Sequence, residues 1–269
     1  MRIVCYRSGG GRRYGIVKDA GVFDAGDTFG DFRAGDRIGT LEELSLEAPV
    51  PAAPKIVCVG LNYRDHAEES DQPIPQSPIL FAKFPNALVG HGATISVPPE
   101  VTQADYEAEL GVVIGRRVQR VGEGTALDHV LGYSCLNDVS ARDFQFADGQ
   151  WIRGKTIDTF CPMGPWLVTA DEIPDPQGLA IRCSVNGEVL QESSTKQMIF
   201  SVAELVSFIS HSITLEPGDV IATGTPPGVG FARTPPIFLE DGDSVEIEIE
   251  AIGKLSNPVS HPSSGARGA

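Results

Sequence analysis

The sequence lacks any hydrophobic run of the roughly 18 residues that a membrane-spanning helix requires. Its opening segment, MRIVCYRSGGG, turns polar too early to supply the apolar centre of a signal peptide. These two absences predict a soluble, cytoplasmic protein that does not act at a membrane.

Basic charge is also scarce. Lys and Arg together number 21 against 36 Asp and Glu, so the formal net charge is -15 at pH 7. Nucleic acids and anionic membrane surfaces are bound through clustered basic residues, and neither is therefore expected as a partner. An acidic surface still allows an anionic small molecule to bind in a local basic pocket.

The cysteines form no recognisable site. No two of the five are close enough in the chain for a zinc knuckle or a CxxC redox motif. We expect them to be reduced, mostly buried thiols. They are Cys5, Cys58, Cys135, Cys161 and Cys183.

Turn-forming residues are frequent, with 30 Gly and 20 Pro, and the apolar segments between them are short. This pattern predicts a mainly β fold with short helices, in the α+β class. The strand candidates include KIVCVG, ILFAKF, ELGVVIG, DHVLGYSCLND, GPWLVTA, LAIRCSVNG, DVIATG and SVEIEIEAIG.

Three short helices are expected, and a proline-rich segment suggests a domain boundary. The helices are TLEELS with Thr40 as N-cap, YRDHAEES, and SVAELVSFIS with an S-x-x-E capping box. EAPVPAAPK separates a small N-terminal β unit at 1–50 from a main domain at 55–259. The polar tail at 260–269 is predicted to be disordered.

Two glutamates, Glu107 and Glu109, stand at strand spacing in ADYEAELGVVIG (104–115). In an extended chain their side chains point to the same face, where two carboxylates repel each other unless a cation lies between them. Spacing alone favours a solvated acidic face over a ligand site. The segment SVEIEIEAIG (244–253) has the same period and needs no ligand to explain it.

The context of the two glutamates favours a metal site. A small residue, Ala108, lies between Glu107 and Glu109, and Asp138 follows another strand candidate about thirty residues later. Three converging carboxylates are hard oxygen ligands that suit Mg²⁺ or its mimic Mn²⁺. A divalent ion would offset the repulsion and leave coordination positions for a chelating substrate.

Other candidate residues are ambiguous when taken singly. His66 and Glu69 stand at i and i+3 on a short helix, which fits either a surface hydrogen bond or a carboxylate that orients a basic imidazole. Lys155 fits either a surface lysine or a fixed charge in a pocket. The loop GTPPGVG (224–230) lacks the lysine of a phosphate-binding loop and fits a plain turn or a backbone corner for a ligand carboxylate.

Taken together, five motifs in this order resemble the fumarylacetoacetate hydrolase family. The similarity extends from about Lys55 to about Val259 and matches the shorter branch that acts on small oxo-acids, such as acylpyruvates and 2-hydroxyhepta-2,4-diene-1,7-dioate. The motifs are GLNYRDHAEE, DYEAELGVVIG, CLNDVSARDFQ, GKTIDTFCPMGPWLVT and GTPPGVG.

The resemblance implies a mixed β-sandwich roll, a homodimer and a set of site residues. Its metal ligands fall on Glu107, Glu109 and Asp138. Its water-activating pair falls on His66 and Glu69 and its lysine on Lys155. The positions that contact substrate are Gln145, Thr225 and, in the same glycine loop, Gly224.

These residues predict an enzyme that uses Mg²⁺ or Mn²⁺ to stabilise an enolate of an oxo-acid substrate. The leading hypothesis is hydrolysis of a C–C bond in a 2,4-dioxo acid. The alternatives are oxaloacetate decarboxylation, and oxo-acid tautomerisation or isomerisation, on the same site. A non-catalytic oxo-acid-binding protein is a further hypothesis, and phosphoryl transfer is disfavoured because basic phosphate clamps are lacking.

Overall fold

The computed structural model describes residues 1–147 and 149–262. Strands dominate these ranges and the helices are short, which confirms the mainly β fold class predicted from the sequence. Within these ranges no helix combines the length and the apolar character needed to cross a membrane.

The strands carry most of the regular structure. In chain order they are β1 (Arg2–Ser8), β2 (Gly11–Lys18), β3 (Gly21–Asp24), β4 (Arg37–Gly39), β5 (Leu46–Glu47), β6 (Ile56–Gly60), β7 (Ile79–Lys83), β8 (Leu88–Val89), β9 (Ile95–Ser96), β10 (Ala104–Asp105), β11 (Ala108–Ile114), β12 (Val130–Asn137), β13 (Ser140–Ala141), β14 (Cys161–Thr169), β15 (Ala180–Val185), β16 (Glu188–Ser194), β17 (Val220–Ala222), β18 (Ser244–Ile249) and β19 (Gly253–Ser260).

The helices include two that the sequence predicted. In chain order, the α-helices of the described ranges are α1 (Arg64–Glu69), α2 (Glu123–Ala126), α3 (Arg142–Ala147), α4 (Ile152–Lys155) and α5 (Val202–Ser212). The segment YRDHAEES contains α1, and α5 begins with the predicted capping box. Ser201 accepts a hydrogen bond from the backbone N–H of Glu204, whose carboxylate accepts one from the N–H of Ser201.

The helix predicted at 40–45 is wrong, because this segment forms bends and turns. The Glu43 carboxylate does accept a hydrogen bond from the Thr40 N–H at 2.9 Å, as in half of a capping box. A segment this short gains too few helical hydrogen bonds to offset the cost of nucleating a helix.

Two sheets make up the body of the fold. The larger is mixed, with strand order β4-β3-β2-β1-β14-β12-β11-β17-β6-β7, and β5 and β8 pair at its side with β1 and β14. A second sheet has the order β16-β15-β18-β19-β9, and β10 pairs with β13. In the large sheet β17 runs parallel to β6 but antiparallel to β11.

Strand β11 is buried on both faces and contacts two hydrophobic cores. Leu110 and Val112 belong to the core shared with the second sheet, which includes Ile247. Val113 lies on the other face in a core with Ile3. A strand covered on both sides has no polar face, which explains why ELGVVIG is a continuous apolar run.

Strand β18 confirms the interpretation of SVEIEIEAIG as a strand with a solvated acidic face. Val245, Ile247 and Ile249 are buried, whereas Glu248 is exposed and Glu246 is half-buried, 3.2 Å from Lys254. The same spacing of glutamates thus occurs here without a site.

The N-terminal strands extend the large sheet, because β1 pairs antiparallel with β14 and places Ile3 opposite Leu167. The division into a unit at 1–50 and a domain at 55–259 stays a prediction. Strand β19 reaches Ser260, the first residue of the predicted disordered tail, and residues 263–269 of that tail lie outside the described part of the chain.

Gly132 is required where β12 and β14 approach each other closely. A Cβ atom at this position would lie 2.1 Å from the carbonyl oxygen of Val168, a backbone atom that cannot rotate away. We expect Gly132→Ala to lower the free energy of unfolding by about 1–3 kcal/mol or more, measured by urea denaturation.

The matched control for this prediction is Gly124→Ala in α2, where an added Cβ atom meets no atom of the described residues within 4 Å. That substitution is expected to be neutral or to stabilise the protein by up to about 1 kcal/mol, because Ala favours the helix. Equal losses for the two variants would contradict the steric explanation.

Candidate active site

The structure brings the three predicted carboxylates together. Glu107, Glu109 and Asp138 are buried, and one oxygen atom of each lies within 4.8 Å of the others. Strands β11 and β12 are antiparallel with Ala108 opposite Asn137, so Glu107 and Asp138 stand side by side at the end of this pair.

Glu107 lies just before β11, in the short break between β10 and β11. Its N–H donates to the side-chain oxygen of Asn137, on the neighbouring strand β12, at 3.0 Å instead of to a backbone carbonyl of that strand. Its carbonyl accepts a hydrogen bond from the N–H of Asp138, also at 3.0 Å. The backbones of two candidate metal ligands, Glu107 and Asp138, are therefore hydrogen-bonded to each other at this break between strands.

Lys155, from the end of α4, lies inside the cluster rather than on the surface. Its Nζ atom is 2.7 Å from Glu107 Oε2 and 2.9 Å from Asp138 Oδ2. Burial alone would lower the pKa of this lysine, but the two carboxylates outweigh burial and raise it. The side chain is therefore a buried, permanently charged ammonium group.

The two glutamates of the cluster differ in how well their charge is compensated. Burial would raise the pKa of Glu107, yet Lys155 and Arg142 outweigh it and lower the pKa to about 2. The pKa of Glu109 is raised well above its usual value, by burial and then by the charges of Asp138 and Glu107. Its carboxylate accepts a hydrogen bond from the Gly224 N–H at 2.9 Å.

This donor set fits a divalent cation. Glu107, Glu109 and Asp138 supply hard oxygen atoms, and the charge of Glu109 is not offset by an ion pair within the described ranges. An uncompensated buried carboxylate is costly unless a cation accompanies it. The three residues would hold Mg²⁺ or Mn²⁺, as the sequence predicted.

His66 and Glu69 form a pair on α1. The Nδ1 atom of His66 lies 3.0 Å from Glu69 Oε2, and the Gly228 N–H donates to both Glu69 oxygens at 2.9 and 3.1 Å. Burial would raise the pKa of Glu69, but these hydrogen bonds lower it, so Glu69 is an anion. A carboxylate that accepts from Nδ1–H leaves Nε2 as the basic atom of the imidazole.

The His66–Glu69 pair borders the same cavity, of about 530 Å³, as the two glutamates of the acidic cluster. Its polar side includes His66, Glu107, Glu109 and Lys155, and its apolar wall includes aromatic side chains. Of the predicted substrate contacts, Gln145 and Thr225 line the cavity, whereas Gly224 lies behind Glu109 as its hydrogen-bond donor. The aromatic residues are Phe81, Phe146, Trp151 and Phe231.

Sequence reasoning missed Arg142 and Asp105. Arg142 Nη2 lies 2.6 Å from Glu107 Oε1, its Nε donates to Asp105 at 2.8 Å, and its Nη1 donates to Gln145 at 3.0 Å. A signal for Asp105 was present, because Asp105, Glu107 and Glu109 continue one period of two. Nothing local distinguished Arg142 from a surface arginine.

Lys83 was also missed, and the sequence contained no signal for it. It is the last residue of β7 and reads as an ordinary polar residue at a strand end. Its side chain is fully buried, and Nζ lies 2.6 Å from Asp138 Oδ1.

Known proteins share the sequence and the fold. The oxaloacetate tautomerase FAHD2A of Bos taurus, named as mitochondrial, is 51% identical over 219 residues, which cover 81% of this chain and 70% of the bovine protein. The 2-hydroxyhepta-2,4-diene-1,7-dioate isomerase of Mycobacterium marinum is 41% identical with a TM-score of 0.85, covering 97% and 99% of the two chains. A fumarylacetoacetate hydrolase of Exiguobacterium antarcticum has a TM-score of 0.87 at 37% identity over 97% and 99%.

The structural agreement confirms the predicted fold type, a mainly β fold of the β-sandwich roll kind. The predicted cytoplasmic location is wrong, because the bovine relative and others of similar sequence identity are named as mitochondrial proteins. Composition and the opening residues had carried that prediction, and neither reports on the compartment in which a protein acts.

The family model that matches this chain describes the C-terminal domain of fumarylacetoacetate hydrolase and aligns with residues 55–260. This span covers most of the chain and contains every candidate site residue. The chain belongs to the fumarylacetoacetate hydrolase family.

Proposed function

We propose that this protein is an oxo-acid tautomerase that interconverts the enol and keto forms of oxaloacetate or a closely related 2-oxo acid. The observation that carries the proposal is the His66–Glu69 pair, which borders the same cavity as Glu107, Glu109 and Lys155. Relatives named as oxaloacetate tautomerases support the choice of substrate over the 2,4-dioxo acids of the leading hypothesis.

The acidic cluster supplies the electrophilic side of the site. A divalent cation held by Glu107, Glu109 and Asp138 would act as a Lewis acid toward the carboxylate and 2-oxo oxygens of the substrate. Lys155 adds a second, fixed positive charge at the same end of the cavity. Preorganised charge of this kind stabilises the negative oxygen of an enolate without reorganisation at the moment of reaction.

His66 is the group suited to move the carbon-bound proton. For the keto-to-enol direction, Nε2 takes a proton from C3, and the C–H electron pair becomes the C2=C3 double bond. The C2 oxygen then takes up a proton, and the reverse sequence gives the keto form. Glu69 fixes the tautomer and stabilises the imidazolium that forms.

A second function is favoured by the size and lining of the cavity. Its volume of about 530 Å³ and its aromatic wall leave room beyond a four-carbon acid for a longer, apolar or unsaturated tail. C–C hydrolysis of an acylpyruvate, or isomerisation of a longer dioate, would use the same enolate. In the hydrolytic case His66 would activate water instead of moving a proton at C3.

The deciding experiment follows the ultraviolet absorbance of the enol as oxaloacetate ketonises in the presence of purified protein. We expect the protein to accelerate ketonisation, to lose that activity with EDTA, and to regain it with Mg²⁺ or Mn²⁺. A coupled assay for pyruvate, run in parallel, measures decarboxylation of oxaloacetate and cleavage of acylpyruvates.

The assays separate the candidates by kcat/KM. Acceleration of ketonisation well above pyruvate release supports the tautomerase. Faster cleavage of an acylpyruvate than ketonisation of oxaloacetate would replace the proposal with the hydrolase. Binding of these acids with no turnover in any assay would leave a binding protein.

A further inference from the structure

Lys83 is a lysine whose whole side chain is removed from solvent. Its Nζ atom donates to the carbonyl oxygens of Val139 at 2.9 Å and Phe160 at 2.8 Å, and also to that of Lys155. The ammonium group is thus enclosed by three backbone carbonyls and the Asp138 carboxylate, which lies 2.6 Å away through Oδ1.

Three of these four partners account for all the hydrogen-bond donors of this ammonium group. A lysine has three N–H donors, and the three carbonyls accept them. Asp138 Oδ1 consequently lies in contact with the positive charge but accepts no hydrogen bond of good geometry from the residues that the structure describes. A fully buried lysine is rare, because removing its charge from water costs free energy unless the charge is paired and its donors are hydrogen-bonded, as they are here.

These contacts connect two parts of the candidate active site that come from different segments. Asp138 and Val139 follow β12, whereas Lys155 ends α4 and Phe160 precedes β14. Lys83 enters from the edge strand β7 and bonds to both segments. Its removal would leave three buried carbonyls without a donor, and the two segments would lose their shared anchor.

We propose that Lys83 is a positioning residue, which fixes Asp138 relative to the main chain of Lys155 and so sets the affinity of the acidic cluster for a divalent cation. The inference rests on the metal site of the proposed function. Two effects of Lys83 oppose each other, since its charge repels a cation while its bonds hold the ligands in place. The number of contacts made by one buried group favours the positional effect, because partners that orient metal ligands commonly change affinity 10–100-fold.

The test is Mn²⁺ binding to the full chain, followed by electron paramagnetic resonance of the free ion, with no substrate present. We expect Lys83→Met to weaken binding about 10–100-fold. In an Asp138→Asn background the same substitution should have a much smaller effect, because its action passes through Asp138. Unchanged or tighter binding in Lys83→Met would overturn the proposal.

A matched control separates positioning from general destabilisation. Leu167→Ala removes a buried side chain of β14. Leu167 belongs to the hydrophobic core that contains Ile3, and it lies opposite Ile3 of β1. It should lower the melting temperature without changing Mn²⁺ affinity. An equal loss of affinity in Leu167→Ala would show that Lys83 contributes only stability.

Two further outcomes keep the test decisive. If Lys83→Met does not fold, Lys83→Arg is measured instead; we expect at least 10-fold weaker binding, because a planar guanidinium group cannot replace the compact ammonium group among three carbonyls. Wild-type affinity in that variant would overturn the proposal. Wild-type protein that binds Mn²⁺ without converting oxaloacetate removes the proposed function alone, whereas wild-type protein that binds no Mn²⁺ removes both.

Discussion

Replacing Glu109 by glutamine is expected to abolish divalent-cation binding and oxo-acid turnover while it makes the metal-free protein more stable. Glu109 is buried, and the neighbouring charges of Asp138 and Glu107 add to burial in raising its pKa. Gln is close in shape and can still accept the hydrogen bond from the Gly224 N–H. It removes the like-charge repulsion, and with it one of three carboxylate ligands.

The two expected changes have opposite signs. Turnover should fall by at least about 10³-fold, comparable to the loss of a major electrostatic contribution to the transition state. The free energy of unfolding of EDTA-treated protein should rise on the order of 1 kcal/mol, because replacing a buried charged group by an uncharged one of similar shape is often stabilising. Residues that serve function at the expense of stability are common in active sites.

Melting temperature measured against Mn²⁺ concentration checks this prediction. A ligand that binds only the folded state stabilises it by about 2.7 kcal/mol at 100 times its Kd, so the wild-type curve should rise and the Glu109→Gln curve should stay flat. Glu248→Gln is the matched control, because Glu248 is an exposed glutamate on β18. A rising curve for Glu109→Gln would remove Glu109 from the metal site.

The second large effect is expected from His66→Gln, which should lower kcat for ketonisation by about 10²–10⁴-fold, the usual contribution of a positioned acid–base group. Gln can retain a hydrogen bond to Glu69 but has no basic nitrogen to receive the C3 proton. His66 touches none of the three carboxylates of the acidic cluster in the described contacts, so Mn²⁺ affinity should stay at the wild-type value.

Steady-state kinetics together with Mn²⁺ titration test this separation of roles. His211→Gln is the control, since His211 is an exposed histidine at the end of α5. It should leave both kcat and Mn²⁺ affinity unchanged. Full turnover in His66→Gln would exclude the imidazole as the proton carrier, and weakened Mn²⁺ binding would mean that His66 supports the metal site instead.

The convergence of the carboxylates could be predicted from the sequence, because it depends on spacing within a strand and on the pairing of consecutive strands. Glu107 and Glu109 share a face through the period of an extended chain, and Asp138 directly follows the next strand, β12. Antiparallel pairing of consecutive strands then places Asp138 beside Glu107. The His66–Glu69 contact follows in the same way from the i, i+3 spacing of a helix.

Two of the basic residues around the cluster, unlike Lys155, could not be predicted from the sequence. Lys83 and Arg142 resemble surface residues in their local context, and their burial arises from packing between β7, the segment after β12 and α4. The wrong helix prediction at 40–45 has a different, local cause. A capping interaction forms there, but the segment is too short to offset the cost of nucleating a helix.

The sequence by itself therefore determined the mainly β class, the family resemblance and the carboxylate and histidine pairs, because each depends on spacing within one or two elements. Only the tertiary structure decided which charges are buried together and which glutamate lacks a counter-charge. Electrostatic interactions are strong where distant segments exclude water, and the order of residues along the chain does not reveal which segments do so.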